Sequence, residues 1–376
     1  MAMTELSNNY TGSSLESACV KMAPYILNTH KSSKQVVVFL NNHLVKSLTD
    51  LSCLKSYSTI ELEQITNGKK IHGGLKLDTI NELANMTKDS RVVFVLNESV
   101  KQEPITIYRL FSDKMLPDHS NKVGFYIPTK TSITIRERLI FDTESTSCSN
   151  NFWIIDKGSS LTKYRLLESS FFKETSHDSK ESFYQGENSL CNSFSFFLGN
   201  NDKSSRGVLN NKIFSELIGK SCNSNHRSIS FLRGSACVKN KIKTIHHNID
   251  CNSHEIYKGV FDHDSQGEFD SLVVVERGAI NANTVQKNNN VLLSSQAKID
   301  SNPQLEIFTD DVKCSHGSTT GQLDADAIFY LRSRGLSLNQ AMGVLLKGFL
   351  TEVVEFLEDE EICKEIENSL KNLIKV

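Results

Sequence analysis

Five prolines, a single tryptophan and no C-x-x-C pair are what these 376 residues most plainly lack. Nine cysteines are present, at irregular spacing. Without a secretory leader they read as reduced thiols and not as a disulfide frame, most of them small buried hydrophobes. The opening MAMTELSNNYTG has neither a basic stretch nor an apolar one, so no signal peptide is expected and the expected compartment is the cytoplasm. Long apolar runs are missing too. The five-residue run 36–40 is typical, against the roughly 20 residues that cross a bilayer. No sign of charge dominates: 42 Lys and Arg meet 44 Asp and Glu, for a net charge of -2, which offers no basic face to nucleic acid or to an acidic membrane.

Motifs of common chemistries are absent as well. No G-x-x-x-x-G-K-[ST] occurs, and the nearest glycine-rich stretch, Gly317-Ser318-Thr319-Thr320-Gly321-Gln322, has no lysine to reach a phosphate. Nucleotide binding or hydrolysis by this chain alone is not expected. G-x-S-x-G and H-E-x-x-H are likewise missing, which removes the hydrolase elbow and the zinc protease.

What is present is a long succession of short runs rich in β-branched and aromatic residues. They lie at 36–40, 92–96, 105–111, 133–141, 152–155, 229–232, 256–261, 272–275, 291–293 and 305–308, separated by polar stretches. No helical pattern alternates with them, which argues against a doubly wound α/β sheet. Asn, Ser and Gly fill the corners, and Asn tolerates the left-handed backbone region. This fits a β-solenoid or a β-sandwich, and with no fixed repeat period composition alone does not choose.

The C-terminal part differs in kind. Asp324 is a helix N-cap before 325–333, and Gly335 ends that helix in the left-handed conformation. Ser337 and Gln340 form a capping box. Leu338, Ala341, Leu345, Phe349, Val353 and Phe356 then make one apolar stripe, and Ile362, Ile366, Leu370 and Leu373 a second one. The acidic run 358–361 between them is expected as a solvated face. The N-terminal 33 residues are polar, with one short helix expected over 15–27. The division expected is an N-terminal segment 1–33, a β-body 34–316 and a helical domain 317–376.

Two clusters carry metal-capable side chains. In Asp310-Asp311-Val312-Lys313-Cys314-Ser315-His316, an extended backbone puts Cys314 and His316 on one face, about 6.6–6.8 Å apart along the strand. That is wide for one ion but workable for a cluster or a site completed by a second chain. Thiolate with imidazole suits iron, zinc or iron–sulfur species. The other cluster holds His247, Cys251 and His254. It matches no standard zinc spacing and is a weaker candidate, with a corner of hydrogen-bonded histidines as the structural reading.

The stretches DDVKCSHGSTTGQLD (310–324) and IFYLRSRGL (328–336) resemble the signature of the SufD family of iron–sulfur cluster assembly proteins. HNIDCNSHEIYKGVFDHDSQGEF (247–269), the VLLS run 291–294 and the segments 36–51 and 92–111 support it. The paralogous SufB usually reads H-E-A where this chain has Cys314-Ser315-His316-Gly317. The resemblance implies a right-handed parallel β-helix with a small C-terminal helical domain. It implies a non-catalytic subunit that pairs with SufB through the β-helix and docks a SufC ATPase. It also implies His316 as a ligand to a nascent iron–sulfur cluster or iron at the SufB–SufD interface, with Cys314 beside it, and maps SufC docking to Phe329, Tyr330, Arg332, Arg334, Gly335 and Phe349. The alternative leaves all cluster ligands on SufB and gives this chain a purely structural role. Reduced flavin is a further candidate cofactor, and the unpaired edge of the β-helix leaves a homodimer open to the isolated chain. A solenoid enzyme acting on polysaccharide is disfavoured, because Asp310 and Asp311 point to opposite faces of a strand and make no acid–base pair.

Overall fold

The computed structural model describes residues 35–44, 54–57, 92–96, 103–112, 122–142, 146–167, 174–199 and 203–374. The helix expected over 15–27 lies outside them. Nineteen strands and three helices make up this part. The strands are β1 (Val36–Leu40), β2 (His43–Leu44), β3 (Leu54–Tyr57), β4 (Val92–Leu96), β5 (Ile105–Ser112), β6 (Lys122–Ile127), β7 (Ser132–Asp142), β8 (Thr146–Ile155), β9 (Ser160–Leu167) and β10 (Ser176–Gln185). They continue as β11 (Leu190–Leu198), β12 (Val208–Leu217), β13 (Asn223–Leu232), β14 (Cys237–His246), β15 (Asn252–Phe261), β16 (Gln266–Val275), β17 (Asn283–Leu292), β18 (Lys298–Ile307) and β19 (Lys313–Gly321). The helices are α1 (Ala325–Ser333), α2 (Leu338–Val354) and α3 (Glu360–Ile374).

From β4 onward the chain alternates between two sheets. Odd strands stack from β5 to β19 in one and even strands from β4 to β18 in the other, and from β6 on each is parallel to the strand two places earlier. That is a parallel β-solenoid, as the family resemblance implied. One rung takes 28 residues between Ser132 and Ser160 and 33 between Asn192 and Asn225, which is why no fixed period shows in the sequence.

The corner leading into each odd strand explains the richness in Asn, Asp, Ser and Gly. Lys130, Gly158, Asn188, Ser221, Asp250, Asn281 and Asp311 stack on successive rungs, all with φ between 53° and 65°. That left-handed conformation suits Gly and Asn and is tolerated by Asp. Up to Asn281 each N–H donates to a carbonyl one rung on, as Asn188 does to Lys220, Asp250 to Ile280 and Asn281 to Asp311, all at 2.9 Å.

The faces of the two sheets differ in what covers them. Strands β12, β14 and β16 alternate buried and exposed positions, because their outer face meets water and carries ion-pair ladders such as Lys241–Asp270 at 3.1 Å. Strands β11, β13 and β15 are buried on both faces along much of their length, because α2 and α3 lie on their outer side. There Phe194, Phe196, Ile229, Phe231 and Val260 pack with Leu346, Leu350, Val353, Ile362, Ile366 and Leu370. Each such side chain contributes about 1.5–3 kcal/mol on burial.

The helix caps follow the sequence reading. Asp324 accepts from the N–H groups of Asp326 and Ala327, the Ser337/Gln340 capping box is complete, and Gly335 has φ 97°. The stripe on α3 is buried as expected, at Ile362, Ile366, Leu370 and Leu373. On α2 the stripe is turned by one position. Ala341, Leu346, Leu350 and Val353 are buried, while Leu345 and Phe349 are half-buried and Leu338 and Phe356 are exposed.

Glu358, Glu360 and Glu361 of the acidic run are exposed, as expected, but Asp359 is not. Asp359 Oδ2 and Oδ1 accept from Arg136 Nε and Nη2 on β7 at 2.7 and 2.8 Å, and its side chain is only 6% exposed. The same Oδ1 caps α3 through the N–H groups of Glu361 and Ile362. Arg138 holds Glu365 one turn further on, at 2.7 Å. The acidic segment therefore fastens α3 to the solenoid. Asp359→Ala removes a nearly buried ion-pair partner and an N-cap together, and is expected to lower stability by about 3 kcal/mol. Thermal unfolding measures this, and a loss under about 0.5 kcal/mol, typical of a surface change, would contradict it.

Candidate functional site

The solenoid ends at β18 and β19, and among the described residues no further rung covers them. Register decides what faces the open end. Thr284, Gln286, Asn288 and Asn290 of β17 point into the lumen and are buried, and they pair with Cys314, His316, Ser318 and Thr320 of β19. These four therefore face the position of the missing rung. Opposite them, Ile299, Ser301, Pro303, Leu305 and Ile307 of β18 pair with the inward residues of β16. Pro303, which has no N–H to offer a ladder, is tolerated because β18 is an edge strand.

Cys314 and His316 thus share one inward face. Cys314 is half-buried against the cluster of Val273, Val275, Ala279 and Ala282, and burial pushes its thiol pKa up. His316 is exposed. Ser318 Oγ donates to Ser301 Oγ at 2.8 Å, and Ser301 Oγ to Asn288 Oδ1 at 2.9 Å, so a polar chain ties the last strand of each sheet to the rung below. The arrangement presents one thiol and one imidazole at an unpaired sheet edge, donor types that suit a soft or borderline metal.

The weaker candidates do not converge. His247 Nδ1 lies 2.8 Å from Glu276 and its Nε2 is 3.7 Å from Glu216. Its hydrogen bonds to Glu216 and Glu276 outweigh burial and raise its pKa. Cys251 is fully buried, with Sγ 3.3 Å from the Gly219 carbonyl. His254 sits on the outer face of the odd sheet, with Nδ1 3.1 Å from Asn225 Oδ1, and burial followed by Arg227 lowers its pKa. Each is accounted for by the corner and ladder around it. Among the described residues no three His, Cys, Asp or Glu side chains gather closely enough to hold a metal ion.

The second exposed feature is α1. It buries none of its residues, and Phe329 and Tyr330 are 74% and 57% exposed. Arg334 lies over the Tyr330 ring at 5.4 Å, and Arg332 and Gly335 are exposed beside them. Leu338 and Val344 of α2 add exposed apolar surface. Phe349, in contrast, turns toward the solenoid, with Lys258 Nζ 4.4 Å above its ring.

A feature that sequence reasoning missed lies inside the solenoid. Glu137, fully buried, accepts from Arg109 Nε at 2.5 Å and pairs with Lys163 Nζ at 2.8 Å. Lys163 also reaches Glu181 at 2.7 Å, which accepts from the indole of Trp153 at 2.7 Å. Burial alone would raise the pKa of Glu137, but Lys163, Arg109 and Arg165 together hold it well below the usual carboxylate range. Arg109 and Glu137 are charges inside the apolar runs 105–111 and 133–141, a signal that each run alone leaves unpaired, because the partners come from different rungs.

Residues 124–349 match the family model for the SUF system FeS cluster assembly, SufBD core domain. The chain is 40% identical over 116 residues to the iron–sulfur cluster assembly protein SufD of Escherichia coli, covering 31% of this chain and 27% of that one. It is 42% identical over 103 residues to an iron–sulfur cluster assembly SufBD family protein of Synechocystis, covering 27% and 23%. With SufD of Bacillus subtilis it shares 32% over 117 residues, covering 31% and 27%. The matched segments thus span about a quarter of these relatives' own length. With a core-domain match over more than half of its residues and a parallel solenoid to carry it, the chain belongs to the SufBD family of the SUF iron–sulfur cluster assembly system and is SufD-like within it.

Proposed function

We propose that this chain is the SufD-like subunit of a cytoplasmic iron–sulfur assembly scaffold, non-catalytic itself, which receives the nascent cluster or its iron as cargo. Its open rung joins a SufB-like paralogue and brings His316 to the interface as a ligand, with Cys314 adjacent. The observation that carries this reading is the uncovered end of the solenoid, where Cys314 and His316 share the inward face and no rung among the described residues lies above them. Unpaired strand edges favour strand or sheet addition by a partner. Co-expression with SufB-like and SufC-like partners, followed by anaerobic loading with iron and sulfide, tests it. A stable complex with a cluster chromophore supports the reading, and no complex at all contradicts it.

In this reading α1 docks a SufC-like ATPase through Phe329 and Tyr330, with Arg332, Arg334 and the turn at Gly335 at its rim and Phe349 bracing α2 from behind. Tyr, Phe and Arg are enriched in the cores of protein interfaces, and Tyr and Arg among the residues that carry most of the binding energy. Replacing Phe329 and Tyr330 by Ala is expected to leave stability within about 0.5 kcal/mol and to weaken capture of the ATPase about thirtyfold. Unchanged capture measured by titration calorimetry would move the docking surface elsewhere.

A further inference from the structure

Below His316 lies a buried amide with one acceptor unused. Gln286 of β17 is fully buried and is the register partner of His316. The two side chains therefore leave strands about 4.7–4.9 Å apart on the same face. Gln286 Nε2 donates to Ser271 Oγ at 2.7 Å and lies 3.4 Å from Glu255 Oε2. Ser271 spends its one proton on Glu255, so an amide oxygen in that place would meet acceptors only, and the orientation of the amide is fixed by its partners. Thr244 closes the other side by donating to Glu255 Oε1 at 2.8 Å. Gln286 Oε1 is then left with no partner. A buried acceptor without a donor is uncommon in folded proteins, and the nearest donor that register offers from the open rung is the imidazole of His316.

We infer that Gln286 is a positioning residue for His316. Its Oε1 accepts a hydrogen bond from one ring N–H, which fixes the tautomer and leaves the other ring nitrogen bare toward the open end. Thr244, Glu255 and Ser271 hold the amide from behind. Metal-binding histidines generally donate their second ring N–H to such an acceptor, which fixes the ring and raises its basicity. The second half of the inference rests on the reading of His316 as a ligand, whereas the pairing itself does not.

The test of the pairing uses the full metal-free chain carrying 15N-histidine, at a pH where imidazole is neutral, with His316 assigned by difference against His316→Ala. Ring 15N shifts report the tautomer. A single tautomer is expected in the wild type and a mixture in Gln286→Met, which keeps the side-chain volume without the acceptor, while His177, His226 and His246 stay unchanged. A mixture in the wild type, or an unchanged tautomer in Gln286→Met, overturns the pairing. If Gln286→Met fails to fold, the wild-type tautomer alone decides. Cobalt(II) affinity of the chain assembled with its SufB-like partner then separates the two claims. Gln286→Met is expected to weaken it ten- to hundredfold. Undiminished affinity in Gln286→Met, with loss in His316→Ala, overturns the role of Gln286 and keeps His316 as a ligand. Undiminished affinity in His316→Ala removes His316 from the ligand set, and with it the metal half of the inference.

Discussion

Lys163→Met is expected to lower the stability of the fold by about 3–5 kcal/mol, because it breaks a buried ion cluster from one side. Lys163 is 1% exposed and is the side chain that bridges Glu137 and Glu181. Without it two carboxylates share the lumen with Arg109 and Arg165 alone. The chain's single tryptophan, Trp153, donates to Glu181 and lies 4.9 Å below Lys163 Nζ, so its fluorescence follows denaturation at the site itself. A shift worth less than about 1 kcal/mol would show that the cluster is not what holds the early rungs together.

The loss should also depend on pH, in a direction that follows from Glu137. Its folded pKa is depressed, so its contribution in the wild type is fully present above the unfolded value, roughly 4.3, and fades as pH falls toward the folded value. In Lys163→Met the dominant positive neighbour is gone and burial acts to raise the pKa, so acidification relieves the variant while it weakens the wild type. The gap between them is therefore expected to narrow below about pH 4–5.

His316→Ala is expected to reduce the iron and sulfide held by the assembled complex about tenfold or more, with the complex itself intact. His316 is exposed and packs against no cluster of the core, so truncation removes no apolar packing, and its cost to stability is confined to the single hydrogen bond inferred to Gln286 Oε1, about 1–3 kcal/mol. Cys314→Ala gives the contrast. Cys314 packs against the apolar cluster of Val273, Val275, Ala279 and Ala282, so that variant is expected to cost some stability whether or not the thiol binds metal. Full cluster content in His316→Ala, read from iron and sulfide analysis, would leave the ligands wholly on the SufB-like partner.

Local signals were legible in the sequence where the chemistry is local. The caps at Asp324, Ser337 and Gln340 and the stripe of α3 follow from residues a few positions apart, and the structure has them where the spacing puts them. The ten-residue strands were harder to see. Only the apolar ends of β13 and β17 read as strand, because the lumen is filled with small polar side chains such as Ser224, Ser228, Ser253 and Ser271, and the usual alternation of apolar and polar residues is lost. Solenoid over sandwich came from the family resemblance, since rungs of varying length leave no period. The face of α2 was misjudged by one position because Val344, Leu345, Leu346, Phe349 and Leu350 surround that helix with apolar residues, and only contact with the solenoid selects Leu346 and Leu350. Asp359 read as solvated with the rest of its acidic run because its cation, Arg136, lies 223 residues away. Cys314 and His316 were legible as a pair, since alternation along an extended strand places them on one face. That this face meets an open end depends on where the solenoid stops, which no local pattern records.

The most direct test of the central reading is pulsed electron–nuclear spectroscopy of the reduced cluster, on a complex in which this chain alone carries 15N-histidine. A 15N coupling to iron that disappears in His316→Ala is the expected result. A cluster with full iron and sulfide and no nitrogen coupling from this chain would contradict it, and would make the open rung a surface for partner pairing only.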